Sequence, residues 1–106
     1  MFGRHVTMKL KANSVAELPR IIENEVLPLL RKQKGLCDEI SFVSPERSIA
    51  VSISLWDTKE DAEAYNLAGY PEVLKTLARV LEGTPTVATF ETVTSTYHKA
   101  YAAKVR

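Results

Sequence analysis

A chain of 106 residues with 45% apolar and 25% charged side chains is ordinary globular material, too short for two comfortable cores and too apolar for a disordered or fibrous class. Its 14 basic and 13 acidic residues are interspersed and sum to a formal charge of +1, so no overall field draws it to nucleic acid or to an anionic membrane. With one cysteine, no charged and apolar leader, and no run approaching the roughly 20 apolar residues of a membrane span, the expectation is a soluble cytoplasmic protein.

The chain opens with an alternation from His5 to Lys11, in which Val6, Met8 and Leu10 share one face, and this period of two predicts the first strand. Ser14 followed by Glu17 reads as a capping box, and Val15, Leu18, Ile22, Val26, Leu29 and Leu30 then recur at helical spacing as far as Gly35. Pro19 and Pro28 each remove an amide donor and crowd the preceding turn, so this helix is expected to be bent or broken. Arg31, Lys32 and Lys34 at its end complement the helix dipole and read as a solvated terminus.

Leu36–Val43 and Ser48–Trp56, separated by a polar turn, predict a β-hairpin. Its second strand has one aliphatic face, Ile49, Val51, Ile53 and Leu55, and one face of small residues, Ala50, Ser52 and Ser54, that ends in Trp56. No charge interrupts it, which predicts burial on both faces. The chain's own helices can cover one face, so a second copy is expected to cover the other, giving a homodimer.

Asp57 or Thr58 is placed to cap a second helical region, with Ala62 and Tyr65 facing inward, a break at Gly69 and Pro71, and a stripe of Tyr70, Val73, Leu74, Leu77, Val80 and Leu81 ending at Gly83. Thr84 to His98 is β-prone, and residues 99–106 read as a short frayed or helical tail. The order βαββαβ predicts an α+β, ferredoxin-like fold with an antiparallel sheet, in one domain with its core at about residues 5–98.

Phosphate loops, paired cysteines, HExxH and GxSxG spacings are all missing, which leaves neither a cofactor nor a metal expected. His5 and His98 lie on strands expected to be neighbours, but a metal would need a third ligand such as Glu91 or Cys37 at no supporting spacing. His5 is the candidate general base because imidazole titrates near neutrality; the plainer reading is an exposed strand histidine. Trp56 either walls a pocket or fills the core, and Tyr65, Asn66 and Tyr70 at the helix break either orient a polar aromatic ligand or cap and pack. Cys37 reads as a small hydrophobe.

The runs EVLPLLRKQKG, SIAVSISLWDTKEDAEAY and YPEVLKTLARVLEGTPTVATFETV resemble the antibiotic biosynthesis monooxygenase (ABM) domain family of dimeric α+β barrels, over almost the whole chain from about His5 to His98. That resemblance implies a homodimer with a pocket between sheet and helices in each subunit. Some members oxidise aromatic phenols with molecular oxygen and no metal or flavin; others degrade haem, and many have no known activity. The haem-degrading branch uses a histidine on the second helix, and Thr58 to Leu81 contains none. The phenol-oxidising branch uses an Asn, a Trp and a Tyr; Trp56 and Tyr65 lie in places suited to two of these, while the first strand has no asparagine and His5 or Thr7 would stand in for it. The resemblance implies a cofactor-independent monooxygenase acting on a small phenolic or quinol-type substrate; joined to the reading of the residues, it makes His5, Trp56 and Tyr65 the catalytic candidates and Ser54, Asn66 and Tyr70 the substrate-binding ones. The alternative is a non-catalytic dimeric protein of the same fold that binds a small molecule.

Overall fold

A computed structural model describes residues 1–96; His98 and the tail expected at 99–106 lie outside the described residues. Four antiparallel strands form one sheet in the order β2-β3-β1-β4, where β1 is Phe2–Lys9, β2 Leu36–Ser44, β3 Ile49–Trp56 and β4 Thr86–Glu91. With helices between β1 and β2 and between β3 and β4, this is the ferredoxin-like arrangement expected from the pattern. The first strand begins earlier than its alternation suggests, at Phe2, and Arg4 is thereby brought into register with Val6 and Met8.

The first helical region is broken, as its prolines require. Helix α1 (Leu18–Ile21) has Pro19 in its first turn, a π-helical turn follows at Ile22–Val26, and helix α2 (Leu27–Arg31) has Pro28 in its first turn. Pro28 has no amide to offer the carbonyl four residues back, and its ring crowds that carbonyl; widening the preceding turn relieves both. The Leu27 amide accordingly reaches Ile22 O instead of the usual partner. Ile21, three residues after Leu18 and 2% exposed, joins Leu18, Ile22, Val26 and Leu30 in the core.

The expected capping box is not made. Helix α1 starts at Leu18 without a side-chain cap, because Ser14 is buried and its carbonyl, not its hydroxyl, receives the Leu18 amide at 3.2 Å. Thr58 does cap helix α3 (Lys59–Ala68), its hydroxyl accepting from the Asp61 amide at 3.0 Å. Gly69 then separates α3 from α4 (Tyr70–Leu77), with Pro71 in the first turn of α4. That helix stops before Gly83, since the Glu82 amide pairs with Lys9 O at 2.7 Å and the Lys11 amide with Val80 O at 2.8 Å, tying this segment to the end of β1.

All the helices lie on one face of the sheet, over Phe2, Val6, Met8, Ala50 and Trp56, and close one apolar core. The other face carries Ile53, Val51 and Leu55 of β3 beside Ile40 and Phe42 of β2 and Phe90 of β4. Ile40, Phe42 and Phe90 are each about half exposed, at 52%, 54% and 52%. The two faces of β3 therefore differ: the small-residue face is under the helices, and the aliphatic face is uncovered within the protomer.

Candidate functional site

Three neighbouring strands present a row of side chains toward the helices: Glu39 on β2, Ser54 on β3 and Arg4 on β1, each directly opposite the next. The adjoining row is Ser41, Ser52 and Val6. Small side chains on β3 leave a gap between sheet and helices, and the helices fill its far side with Tyr65 of α3, Tyr70 and Val73 of α4 and Val26 of the π turn. The remaining cavity is about 40 Å³ and is lined by Arg4, Glu39, Ser52, Ser54, Tyr65 and Tyr70 among apolar residues. That is room for a few water molecules, well below the roughly 300 Å³ of a site for a drug-sized ligand.

Arg4 dominates the electrostatics. It is only 2% exposed, its Nη2 donates to Asn66 Oδ1 at 2.7 Å, and its guanidinium lies 4.3 Å from the centroid of Tyr70 and 5.1 Å from that of Tyr65. No carboxylate pairs with it among the described residues. Burial lowers its pKa, and the two tyrosines only partly oppose that; a guanidinium stays protonated regardless. Stacking on the ring leaves the Tyr70 hydroxyl buried without a hydrogen-bond partner.

Burial pushes the Tyr65 phenol up to about 12, against the pull of Arg4, and raises Tyr70 for the same reason. Glu39 is also raised, first by burial and then by neighbouring Asp38, with the Ser41 hydrogen bond opposing. Ser41 Oγ donates to Glu39 Oε1 at 2.6 Å and lies 2.7 Å from Ser52 Oγ. With the Ser41 proton committed to the carboxylate, Ser52 must be the donor to Ser41, so the chain Ser52–Ser41–Glu39 has one direction.

The sequence-predicted residues divide between the two faces. Trp56, Tyr65, Asn66, Tyr70 and Ser54 are brought together: Trp56 stacks on Tyr65 at 5.0 Å between centroids and its Nε1–H donates to Ser54 Oγ at 2.9 Å. Trp56 is fully buried behind Ser54 and Tyr65 and does not itself wall the cavity. Asn66 holds Arg4 and lines a separate, more open groove of about 300 Å³ with Lys59, Glu63 and Thr89. His5 is on the opposite face of the sheet, edge-on to Phe90 at 4.9 Å, and does not join the others. Arg4 and Glu39 were missed by the sequence reading; Arg4 is the polar residue in phase with Phe2, Val6 and Met8, whereas Glu39 alternates with Ile40 and Phe42 as an outward residue would.

Among the described residues no group of three His, Cys, Asp or Glu side chains is placed to hold a metal ion, and no helix is long and apolar enough to cross a membrane.

No protein-family model and no curated protein matches this chain. Solved structures do. The ActVA-Orf6 monooxygenase of Streptomyces coelicolor, determined with the ligand nanaomycin D, superposes with a TM-score of 0.75 at 14% identity over 92% of each chain. The NE2512 protein of unknown function from Nitrosomonas europaea gives 0.76 at 15% identity, over 92% of this chain and 94% of that one. A second Nitrosomonas europaea protein, provisionally named an antibiotic biosynthesis monooxygenase, gives 0.71 at 16% identity, over 89% of this chain and 100% of that one. The chain thus has the α+β fold of the antibiotic biosynthesis monooxygenase structures. At these identities the likeness is one of fold.

Proposed function

We propose that this chain is a monooxygenase-like protein that oxidises a small phenol or quinol with molecular oxygen in the sheet–helix cavity, without a resident metal or flavin, and that it acts as a homodimer. The observation that carries this reading is the buried Arg4 guanidinium, which has no carboxylate partner among the described residues, packed against the ring of Tyr70, whose hydroxyl is buried. A buried cation and a buried orphan hydroxyl each cost stability unless a ligand answers them, and a phenolate offers both the charge and the acceptor. A phenol with a free ring position and one O2 give a quinone and one water, so the reaction needs no external reductant. The monooxygenase with this fold that was solved with nanaomycin D supports the ligand class.

The test is oxygen uptake and quinone absorbance across a panel of phenols and hydroquinones, with Arg4→Met and Tyr70→Phe as variants. Turnover that falls at least about tenfold in Arg4→Met supports the reading. No turnover anywhere in the panel, or unchanged rates in both variants, refutes it.

The cavity of about 40 Å³ favours a second reading, in which the protein retains a small ligand without oxidising it. Phenols that raise the melting temperature without consuming oxygen would select it. The homodimer rests on the uncovered apolar face around Ile40, Phe42, Ile53 and Phe90, since contiguous apolar surface of this kind marks an interface. Light scattering at micromolar concentration tests it, and a stable monomer overturns it.

A further inference from the structure

The donors and the acceptor of the cavity stand on opposite sides of Ser54. Arg4 is on β1 and Glu39 on β2, each paired with Ser54 on the strand between, so their backbones are roughly 10 Å apart across two strand spacings. On the Arg4 side stand the donors: the guanidinium is held by Asn66 through one nitrogen, and the Tyr70 hydroxyl is buried beside it. Ser54 accepts from Trp56 and donates to nothing among the described residues, so its own proton is left for the cavity. On the far side Glu39 is the one carboxylate in the cavity wall, and His5 is on the opposite face of the sheet.

An arrangement of this kind suits a substrate that loses a proton at one atom while negative charge grows at another. We propose that the site enolises a small ketone: Glu39 takes the proton from the carbon next to the carbonyl, and Arg4, Ser54 and Tyr70 hold the developing oxyanion. The C–H bond breaks and an O–H bond forms on Glu39. The C–H electron pair becomes the new C–C π bond, and the carbonyl π pair moves onto oxygen. Nothing is oxidised or reduced, and the reverse step returns the proton to carbon.

Segregation is what distinguishes this from ionisation of a single hydroxyl, which would want base and oxyanion donors at one atom. A carboxylate in a mostly apolar cavity opposite a set of hydrogen-bond donors is a workable pairing for proton abstraction beside a carbonyl. The groups that bear on Glu39 are Asp38 and Ser41 on its own strand, Ser54 paired with it from β3, and Tyr65 from α3. The Ser52–Ser41 chain holds one carboxylate oxygen, Oε1, leaving the other for substrate.

This inference rests on the sheet–helix cavity being the reactive site, but not on oxygen. The experiment is deuterium exchange of the α-protons of a size series of small ketones, acetone to cyclopentanone, followed by NMR in D2O under anaerobic conditions with the full chain. The expected result is exchange faster than buffer for at least one member. Glu39→Gln should lose the acceleration by at least about a hundredfold at little change in KM, with partial recovery in Glu39→Asp. Circular dichroism shows whether Glu39→Gln is folded. Should it not be, Arg4→Met and Tyr70→Phe serve instead, each expected to lose at least about tenfold. No exchange with any ketone, or undiminished exchange in the folded variants, overturns the proposal. Exchange without oxygen uptake on phenols refutes the oxygenase reading and keeps this one; phenol turnover without exchange of any ketone does the reverse.

Discussion

Tyr65 offers a quantitative check on the electrostatics of the site. Its ring is 4% exposed, stacked on Trp56, and burial lifts the phenol from 10.0 to about 12. In the unfolded chain the phenol ionises near its ordinary value, while the folded protein keeps its proton until about two pH units later. Stability is therefore fully present below about pH 10 and is lost as pH rises through about 12, by an amount equivalent to about 3 kcal/mol. Against a total of about 5–15 kcal/mol for a domain, that is a large share. The assay is urea unfolding at a series of pH values from neutral to strongly alkaline, wild type against Tyr65→Phe. Phenylalanine keeps the stack and has nothing to ionise, so the variant should lose less stability on the alkaline side by about that amount, and tyrosinate absorbance should show a late-titrating phenol missing. Parallel pH profiles for the two proteins would refute the claim that Tyr65 is held neutral by burial.

Glu39 has the same sign. Its raised pKa means that stability present below the ordinary carboxylate range is lost as pH rises through the raised value, so Glu39→Gln should melt higher than wild type at neutral pH, and the gap should close in acid. Gly69→Ala would place a methyl 2.7 Å from Tyr65 Cδ1; the ring must move, with a loss of about 1–3 kcal/mol in chemical denaturation and altered fluorescence of its stacking partner Trp56. Ile53→Glu puts a charge in the middle of the uncovered sheet face, opposite Ile40 and His5, and should shift light-scattering mass from dimer to monomer while leaving circular dichroism unchanged. Unaltered mass would remove that face from the interface.

The elements were legible wherever one force set them. Alternation marked the strands, prolines marked the breaks at Pro19, Pro28 and Pro71, and Thr58 marked a helix start. The Ser14–Glu17 box failed because a local hydrogen-bond pattern competes with burial, and Ser14 is drawn into the core. The π turn was illegible for another reason: a proline requires relief, but whether a helix kinks, stops or widens depends on the sheet beneath it.

The site was half legible for a reason that bears on how its chemistry is found. Trp56, Tyr65 and Tyr70 stood out by residue type, and the structure gathers them around Ser54. Arg4 and Glu39 are charged, and a charged residue is ordinarily assigned to the solvent side of a strand, which sets it apart from its apolar neighbours. Yet Arg4 shares its face with Phe2, Val6 and Met8, and Glu39 shares its with Val43. A charge in phase with the core is expensive on a strand, and only pairing or function compensates it. Asn66 and two aromatic rings satisfy part of Arg4, and one serine chain satisfies part of Glu39. What both leave unsatisfied points into the same small cavity, from opposite sides of Ser54. Arg4 therefore stands out by its violation of the binary pattern of β1, whereas His5 obeys that pattern and lies on the other face.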